Sequence, residues 1–206
     1  MVTSALNKTA QSILIVGASR GLGLAIAGEL LEKGGNVVGT VRGADCTYLR
    51  RLADENEGRV EIESVDIANA EQIASLRCRL SGRSFDILFS NAGTADKDQD
   101  ETIAQVSTEQ FIEVMVTDAF GTIRVVESLH DLVPANGIIG VMSSVQGNIS
   151  NTTTGGHEVY RDSKASSEHV HARICGPAFE GCASLGADVA GVDPHLSGRP
   201  KYTTQH

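Results

Sequence analysis

The sequence lacks four features that would each indicate a class of protein. No apolar run approaches the ~20 residues of a membrane-spanning helix, and residues 1–12 lack the apolar core of a secretory signal. Cys46, Cys78, Cys175 and Cys182 form no C-x-x-C pair, which favours free thiols in a reducing cytoplasm. The net charge is −9, whereas a nucleic-acid-binding surface is basic. We therefore expect a cytoplasmic protein that binds neither membrane nor nucleic acid.

Length and composition indicate one α/β domain. The chain has 206 residues, of which 41% are hydrophobic and 21% charged, as in globular proteins. The six histidines are scattered, with His169 and His171 as the close pair, so no metal site is predicted. Three of the four prolines lie in residues 175–206, which contain no run of four aliphatic residues. We predict a domain over residues 1–174 and an irregular Gly/Pro-containing tail over residues 175–206.

A glycine-rich turn follows the first apolar run, Ile13-Leu14-Ile15-Val16. The run predicts a strand buried on both faces of a parallel sheet. After the turn, apolar residues recur with the spacing of a helix. Glycines in that position let the backbone approach a pyrophosphate, which the amino end of the helix attracts. An ordinary turn between strand and helix is the alternative. The candidate cofactor-binding residues of the turn are Gly17, Ser19, Arg20, Gly21, Leu22 and Gly23.

A second predicted strand, residues 36–41, ends at Arg42. In a dinucleotide site a carboxylate at this place would hold the 2′-hydroxyl of NAD. A guanidinium would instead pair with a 2′-phosphate, and Arg20 could contact the same group from the other side. The prediction is NADP(H); two solvated surface arginines are the alternative.

Tyr160 and Lys164 lie four residues apart, on one face of a predicted helix. The reference pKa of tyrosine is ~10, and a nearby cation lowers it by favouring the phenolate. The pair suits proton transfer to a carbonyl or from an alcohol. Alone the pattern is also compatible with a chance match on an exposed helix, and it gains weight from the motifs that precede it.

With these motifs in order, residues 11–170 resemble the short-chain dehydrogenase/reductase family. The glycine turn is similar to the family's T-G-x-x-x-G-x-G, with Val16 where threonine is usual. Thr40-Val41-Arg42 and the loop between Ser144 and Tyr160 resemble the C-factor-like and sniffer-like carbonyl reductase branch. The resemblance implies a Rossmann-type doubly wound parallel sheet with strand order 3-2-1-4-5.

The resemblance also implies roles for residues at strand ends. Asp66, followed by Ile67, would bond the adenine amino group. Asn91-Ala92-Gly93 would lie beside the adenine ribose and the central strand, unless it is a plain turn. Ser144 would orient the substrate oxygen and Tyr160 would exchange the proton. Lys164 would hold the nicotinamide ribose and lower the tyrosine pKa, while hydride moves between nicotinamide and substrate carbon.

Two departures from the family pattern stand out. A helix predicted at about residues 108–132 carries Asp118 where the family commonly has a catalytic asparagine, so the amide donor is lost. We keep Asp118 as a candidate catalytic residue, which would either support a proton-relay water poorly or add a charge beside Lys164. After Lys164 the sixth and seventh strands, the Pro-Gly turn and the substrate lid are not recognisable, which indicates an atypical or truncated C-terminal part. Residues 187–192 are weakly similar to the family's sixth strand, with His195 at the position of the glycine in the Pro-Gly turn. Without these strands, residues 137–142 would form an exposed sheet edge.

Two functions remain open from the sequence. One is an NADP(H)-dependent oxidoreductase that interconverts a small carbonyl compound and an alcohol. The other is a catalytically impaired or regulatory nucleotide-binding protein without a complete substrate pocket. Family members often pair through the fourth and fifth helices, which suggests a homo-oligomer. Phe111, Val114, Met115 and Ile123 are spaced along the fourth helix for this, or for burial in the core.

Overall fold

The structure is a computed structural model that describes residues 11–43, 46–95, 98, 100–151, 155–174 and 182–186. Its centre is one parallel sheet with strand order β3-β2-β1-β4-β5-β6. The order of the first five strands confirms the predicted 3-2-1-4-5 arrangement. Strands β1 to β6 span Ser12–Val16, Asn36–Val41, Val60–Ser64, Ile87–Ser90, Ile138–Ser143 and Cys182–Gly186.

Helices connect successive strands, as a parallel sheet requires. Helices α1 to α6 span Gly21–Glu32, Thr47–Glu55, Ala70–Arg79, Thr108–Val114, Thr122–Leu129 and Glu158–Ile174. Short 3₁₀ turns cover His130–Leu132, Val145–Gly147 and Ile149–Asn151. Within the described residues, no helix combines the length and the apolar character needed to cross a membrane.

The central strand β1 is buried on both faces, as its apolar run predicts. Leu14 and Val16 pack into one hydrophobic cluster, and Ile13 and Ile15 pack into another. Successive side chains of a strand point to opposite faces, so the two clusters lie on the two sides of the sheet. Because β1 pairs with β2 on one side and β4 on the other, the loops after these strands meet at one sheet edge.

The predicted helix at about residues 108–132 is continuous but not uniform. Between α4 and α5 the residues Met115–Gly121 form a π-helical segment, which the apolar spacing does not indicate. This segment approaches the sheet closely, since a Cβ added to Gly121 would lie 2.8 Å from the Ile67 carbonyl oxygen. A side chain at residue 121 would therefore push the helix away from the end of β3.

The condition under which the fifth strand would be exposed does not hold in the described residues, because β6 pairs with β5 from Ile139↔Cys182 to Ser143↔Gly186. The β6 sequence, Cys-Ala-Ser-Leu-Gly, has little intrinsic strand preference. Its pairing with β5 therefore determines its extended conformation. The part of the predicted tail that is described thus includes a strand. The division at residue 174 stays a prediction, and the proposed strand over residues 187–192 with His195 lies outside the described residues.

Replacing Gly121 by alanine should destabilise the protein. The added methyl group would meet backbone on a second element, so we expect a loss of about 1–3 kcal/mol in the free energy of unfolding, measured by urea denaturation. Gly28→Ala in α1 is the matched control, because its added Cβ has nothing within 4 Å. That change should stabilise the protein by up to about 1 kcal/mol. Equal effects of the two substitutions would contradict this account of the close approach.

Candidate active site

The glycine turn after β1 owes its shape to two close backbone contacts. Gly17 has φ +94°, and a Cβ there would lie 2.6 Å from Ala92 backbone atoms. A Cβ on Gly23 would lie 2.1 Å from the Gly17 carbonyl oxygen. Gly21 also has positive φ, but the space around it is open. The first and third glycines are therefore needed for packing, and the second leaves room at the amino end of α1.

The segment Asn91-Ala92 ties this turn to β4. The backbone N–H groups of Asn91 and Ala92 both donate to the Val16 carbonyl, at 2.9 and 2.7 Å. The Asn91 side-chain Nδ2 donates to the Gly17 carbonyl at 2.7 Å. Asn91 thus satisfies the backbone of the glycine turn, in agreement with its predicted place beside the central strand.

The same sheet edge carries the residues predicted to contact the adenosine half of a dinucleotide. Arg20 and Arg42 have exposed side chains and line one cavity together with Asp66 and Ile67. The Asp66 carboxylate accepts the Ala68 N–H at 2.9 Å, which fixes the turn after β3. Two guanidinium groups at one end of a cavity provide a site for an anion.

A cavity of about 590 Å³ runs along this edge from the arginines to Tyr160. Every predicted site residue lines it except Gly23, which is packed in the turn, and Asp118, which lies behind the wall. Thr40 and Val41 of the Thr40-Val41-Arg42 motif also line it, although the sequence did not predict them as site residues. The sequence did not single out the other lining residues, because they carry no candidate role: Val65, Thr94, Ala95, Thr117, Met142, Gln146 and His157.

Ser144, Tyr160 and Lys164 converge at the far end of the cavity. Ser144 follows β5 directly and is 3% exposed, and Lys164 on α6 is 4% exposed. The Ser144 hydroxyl is hydrogen-bonded to Tyr160 and also accepts the Gln146 N–H at 3.2 Å. The Lys164 Nζ lies 5.3 Å from the centroid of the Tyr160 ring. The three side chains can therefore contact one small group at the mouth of the cavity.

Asp118 is the buried partner of this group. It is 0% exposed, and its Oδ2 lies 3.3 Å from the Lys164 Nζ. Its Oδ1 accepts the Thr94 N–H at 2.6 Å. Burial raises the pKa of Asp118 above its ordinary value, while Lys164 and the Thr94 N–H act in the opposite direction. The carboxylate links the loop after β4 to the helix that carries Tyr160.

The pKa of Tyr160 departs from the predicted direction. Burial raises it above the ordinary tyrosine value; the hydrogen bond from Ser144 opposes that shift, and the Asp118 carboxylate adds to it. The net shift is therefore upward, opposite to the direction expected from Lys164 alone. The sequence placed the cation near the phenol and predicted that Asp118 could add a charge beside Lys164, and the ion pair agrees with that expectation. The burial of the carboxylate was not predicted.

The fold and the cavity define a Rossmann-type dinucleotide-binding domain. Residues 17–175 match the family model described as enoyl-(acyl carrier protein) reductase. The chain belongs to the short-chain dehydrogenase/reductase family, which confirms the family predicted from its motifs.

Solved structures of other proteins share this fold. One is a Burkholderia multivorans protein described as a short-chain dehydrogenase/reductase with bound NADP, 46% identical with TM-score 0.81, covering 86% of this chain and 78% of that one. Another is the carbonyl reductase Sniffer of D. melanogaster, 26% identical with TM-score 0.75, covering 86% and 80%. The second structure carries the name of the sniffer-like carbonyl reductase branch that the sequence resembles.

A curated relative is the 1-hydroxy-2-glutathionyl-2-methyl-3-butene dehydrogenase of Rhodococcus sp. strain AD45. It is 28% identical over 162 residues, which are 77% of this chain and 67% of that protein. Alignments with three further curated relatives cover 56%, 57% and 55% of their lengths. The chain thus spans little more than half the length of several relatives it matches.

Replacing Asn91 by alanine should destabilise the fold and the glycine turn that lines the cavity. The change leaves the partly buried Gly17 carbonyl without its side-chain donor, so we expect a loss of about 1–3 kcal/mol in the free energy of unfolding. Asn136→Ala, at an exposed site before β5, is the control and should change stability by at most about 0.5 kcal/mol. An unchanged unfolding midpoint for Asn91→Ala would show that the turn does not need this hydrogen bond.

Proposed function

We propose that the chain is an NADP(H)-dependent oxidoreductase that interconverts a carbonyl compound and an alcohol, with Tyr160 as proton donor or acceptor. The observation that carries the proposal is the convergence of Ser144, Tyr160 and Lys164 at one end of a cavity whose other end has two arginines. The substrate is a small molecule of the carbonyl or alcohol class. The cytoplasm, predicted from the thiols and the composition, remains the proposed location.

The residues at the arginine end fit a phosphorylated dinucleotide. The backbone of Gly17 to Gly23 would cradle the pyrophosphate at the amino end of α1, where Gly21 leaves open space. Arg20 and Arg42 would pair with the 2′-phosphate, and Asp66 would bond the adenine. Asn91, Ala92 and Gly93 would line the ribose. The NADP bound to the Burkholderia multivorans structure supports this choice of cofactor.

The cofactor, when bound, supplies or accepts the hydride at the substrate carbon. The protein supplies orientation and the proton. Ser144 is buried and bonded to Tyr160, so its hydroxyl can hold the substrate oxygen within reach of the phenol. Lys164 would hold the nicotinamide ribose from the same helix face. Its buried position fixes its ammonium group between the Tyr160 ring and Asp118.

One observation favours the second candidate, a catalytically impaired or regulatory nucleotide-binding protein. Lys164 already has a buried ion-pair partner in Asp118, which competes with a ribose for the ammonium group. The two candidate functions differ in turnover, whereas both include NADP(H) binding.

Assembly into a homo-oligomer remains a proposal as well. Phe111, Ile112 and Phe120 are exposed on the helix that the family uses for pairing, whereas Val114 is buried in the core.

Replacing Arg42 by aspartate should shift the preference from NADPH toward NADH. The change removes one cation and adds an anion beside the 2′-phosphate, so we expect KM for NADPH to rise about 10- to 100-fold. KM for NADH should not rise. Arg51→Asp is the control, because Arg51 is exposed on α2, pairs with Glu55 and changes the net charge equally. An unchanged ratio of NADPH to NADH efficiency in Arg42→Asp would reject the 2′-phosphate site.

Replacing Tyr160 by phenylalanine should remove turnover and retain NADPH binding. The phenol is the proposed proton donor, and its loss should lower kcat about 10²- to 10⁴-fold. Calorimetry checks NADPH binding, and loss of nicotinamide absorbance with a carbonyl substrate checks kcat. Tyr48→Phe is the control, because Tyr48 is 60% exposed. Near wild-type turnover in Tyr160→Phe would exclude Tyr160 as the proton donor.

A further inference from the structure

Asp118 has no exposed surface and lies in the π-helical segment rather than in a regular helix. Its two carboxylate oxygens contact different elements. Oδ1 accepts the N–H of Thr94 in the loop after β4, and Oδ2 pairs with Lys164 on α6. Gly93 allows this approach, since a Cβ there would lie 3.2 Å from Oδ1. The carboxylate is therefore built into the wall behind the reacting groups.

The titratable groups around Tyr160 come from each element that packs there. The π-helical segment provides Asp118, and α6 itself provides Lys164. His157 precedes α6, with its ring centroid 6.3 Å from that of Tyr160. From the end of β5, Ser144 contributes a neutral hydroxyl, and the hydroxyl of Ser143 bonds to Glu168 farther along α6. Lys164 and Asp118 are the two charges that these contacts place together behind the phenol.

An isolated ammonium group beside a phenol stabilises the phenolate. Here the ammonium group is 3.3 Å from a buried carboxylate, so the pair has no net charge. Burial of the phenol disfavours its charged form further. The pKa of Tyr160 is raised, in agreement with this balance. Burial is the largest cause, the hydrogen bond from Ser144 opposes the shift, and Asp118 adds to it.

We propose that Asp118 is a positioning residue that holds Lys164 in a buried ion pair and cancels its charge, so that Tyr160 stays at neutral pH a phenol, the form from which carbonyl reduction starts. This inference rests on the proposed function. In reduction the Tyr160 O–H bond breaks and an O–H bond forms to the substrate oxygen, while NADPH is oxidised and gives hydride to the carbonyl carbon. Water then reprotonates the tyrosinate. Oxidation of an alcohol by NADP⁺ is the reverse and needs the tyrosinate first.

The test is a titration of Tyr160 in the full chain, followed by NMR of tyrosine labelled with ¹³C at Cζ. Tyr160→Phe assigns the signal by removing it. In the wild type the midpoint should lie at or above the ordinary tyrosine value of ~10. Asp118→Asn keeps an oxygen acceptor for the Thr94 N–H and removes the charge, so its midpoint should fall. Asp131→Asn, in an exposed ion pair with Arg77, should leave the midpoint unchanged.

Two results of this titration would overturn the inference. One is a wild-type midpoint well below the ordinary tyrosine value, which decides the question even if Asp118→Asn does not fold. The other is an unchanged midpoint in a folded Asp118→Asn. A merely structural role of Asp118 would alter stability without moving the signal of Tyr160. The titration needs no substrate, so it is decisive whether or not the chain has turnover.

The pH dependence of catalysis separates this inference from the proposed function. In Asp118→Asn the rise of alcohol oxidation with pH should move to lower pH. At a fixed pH below the midpoint, oxidation should then increase about tenfold for each pH unit of that shift. Absence of wild-type turnover with bound NADPH would reject the proposed function while leaving the titration result intact. Turnover with identical oxidation profiles in wild type and Asp118→Asn would reject the inference alone.

Discussion

The contact between the turn after β1 and the segment after β4 is the constraint on which the rest of the site depends. Because Gly17 and Gly23 have no side chain, the backbone can make close contacts at both positions. The Asn91 side chain adds a hydrogen bond to the Gly17 carbonyl. That contact fixes the amino end of α1 at the sheet edge. It also sets the floor of a cavity that the loops after β2, β3 and β5 complete.

At the Tyr160 end of the cavity, burial and neighbouring charges act in opposite directions on the ionisation of the side chains. Tyr160, Lys164 and Asp118 are three neighbouring ionisable groups, of which Lys164 and Asp118 are buried and Tyr160 is partly buried. Each group changes the free-energy cost of charging the others. Lys164 and Asp118 resolve their burial by pairing, as buried charges usually do. The phenol is left beside a pair without net charge, so burial governs its pKa.

Much of the fold could be predicted because the evidence is local. The run before Gly17 identified β1, and the strand before Arg42 was predicted with its observed bounds. The fifth strand, predicted over residues 137–142, is observed over Ile138–Ser143, with Ser144 directly after it. What escaped prediction depends on contacts distant in sequence. The π-helical turn at Asp118, the pairing of β6 with β5 and the reversed direction of the Tyr160 pKa shift all follow from tertiary packing. No spacing of residues in one segment carries that information.

The most direct test of the central claim is calorimetry of NADPH and NADH binding to the full chain, followed by nicotinamide absorbance with a panel of carbonyl compounds. The account predicts that NADPH binds more tightly than NADH and that at least one carbonyl compound oxidises it. Tight binding without turnover would support a regulatory nucleotide-binding protein instead. Absence of NADPH binding to the folded chain would contradict the account of the cavity as a dinucleotide site.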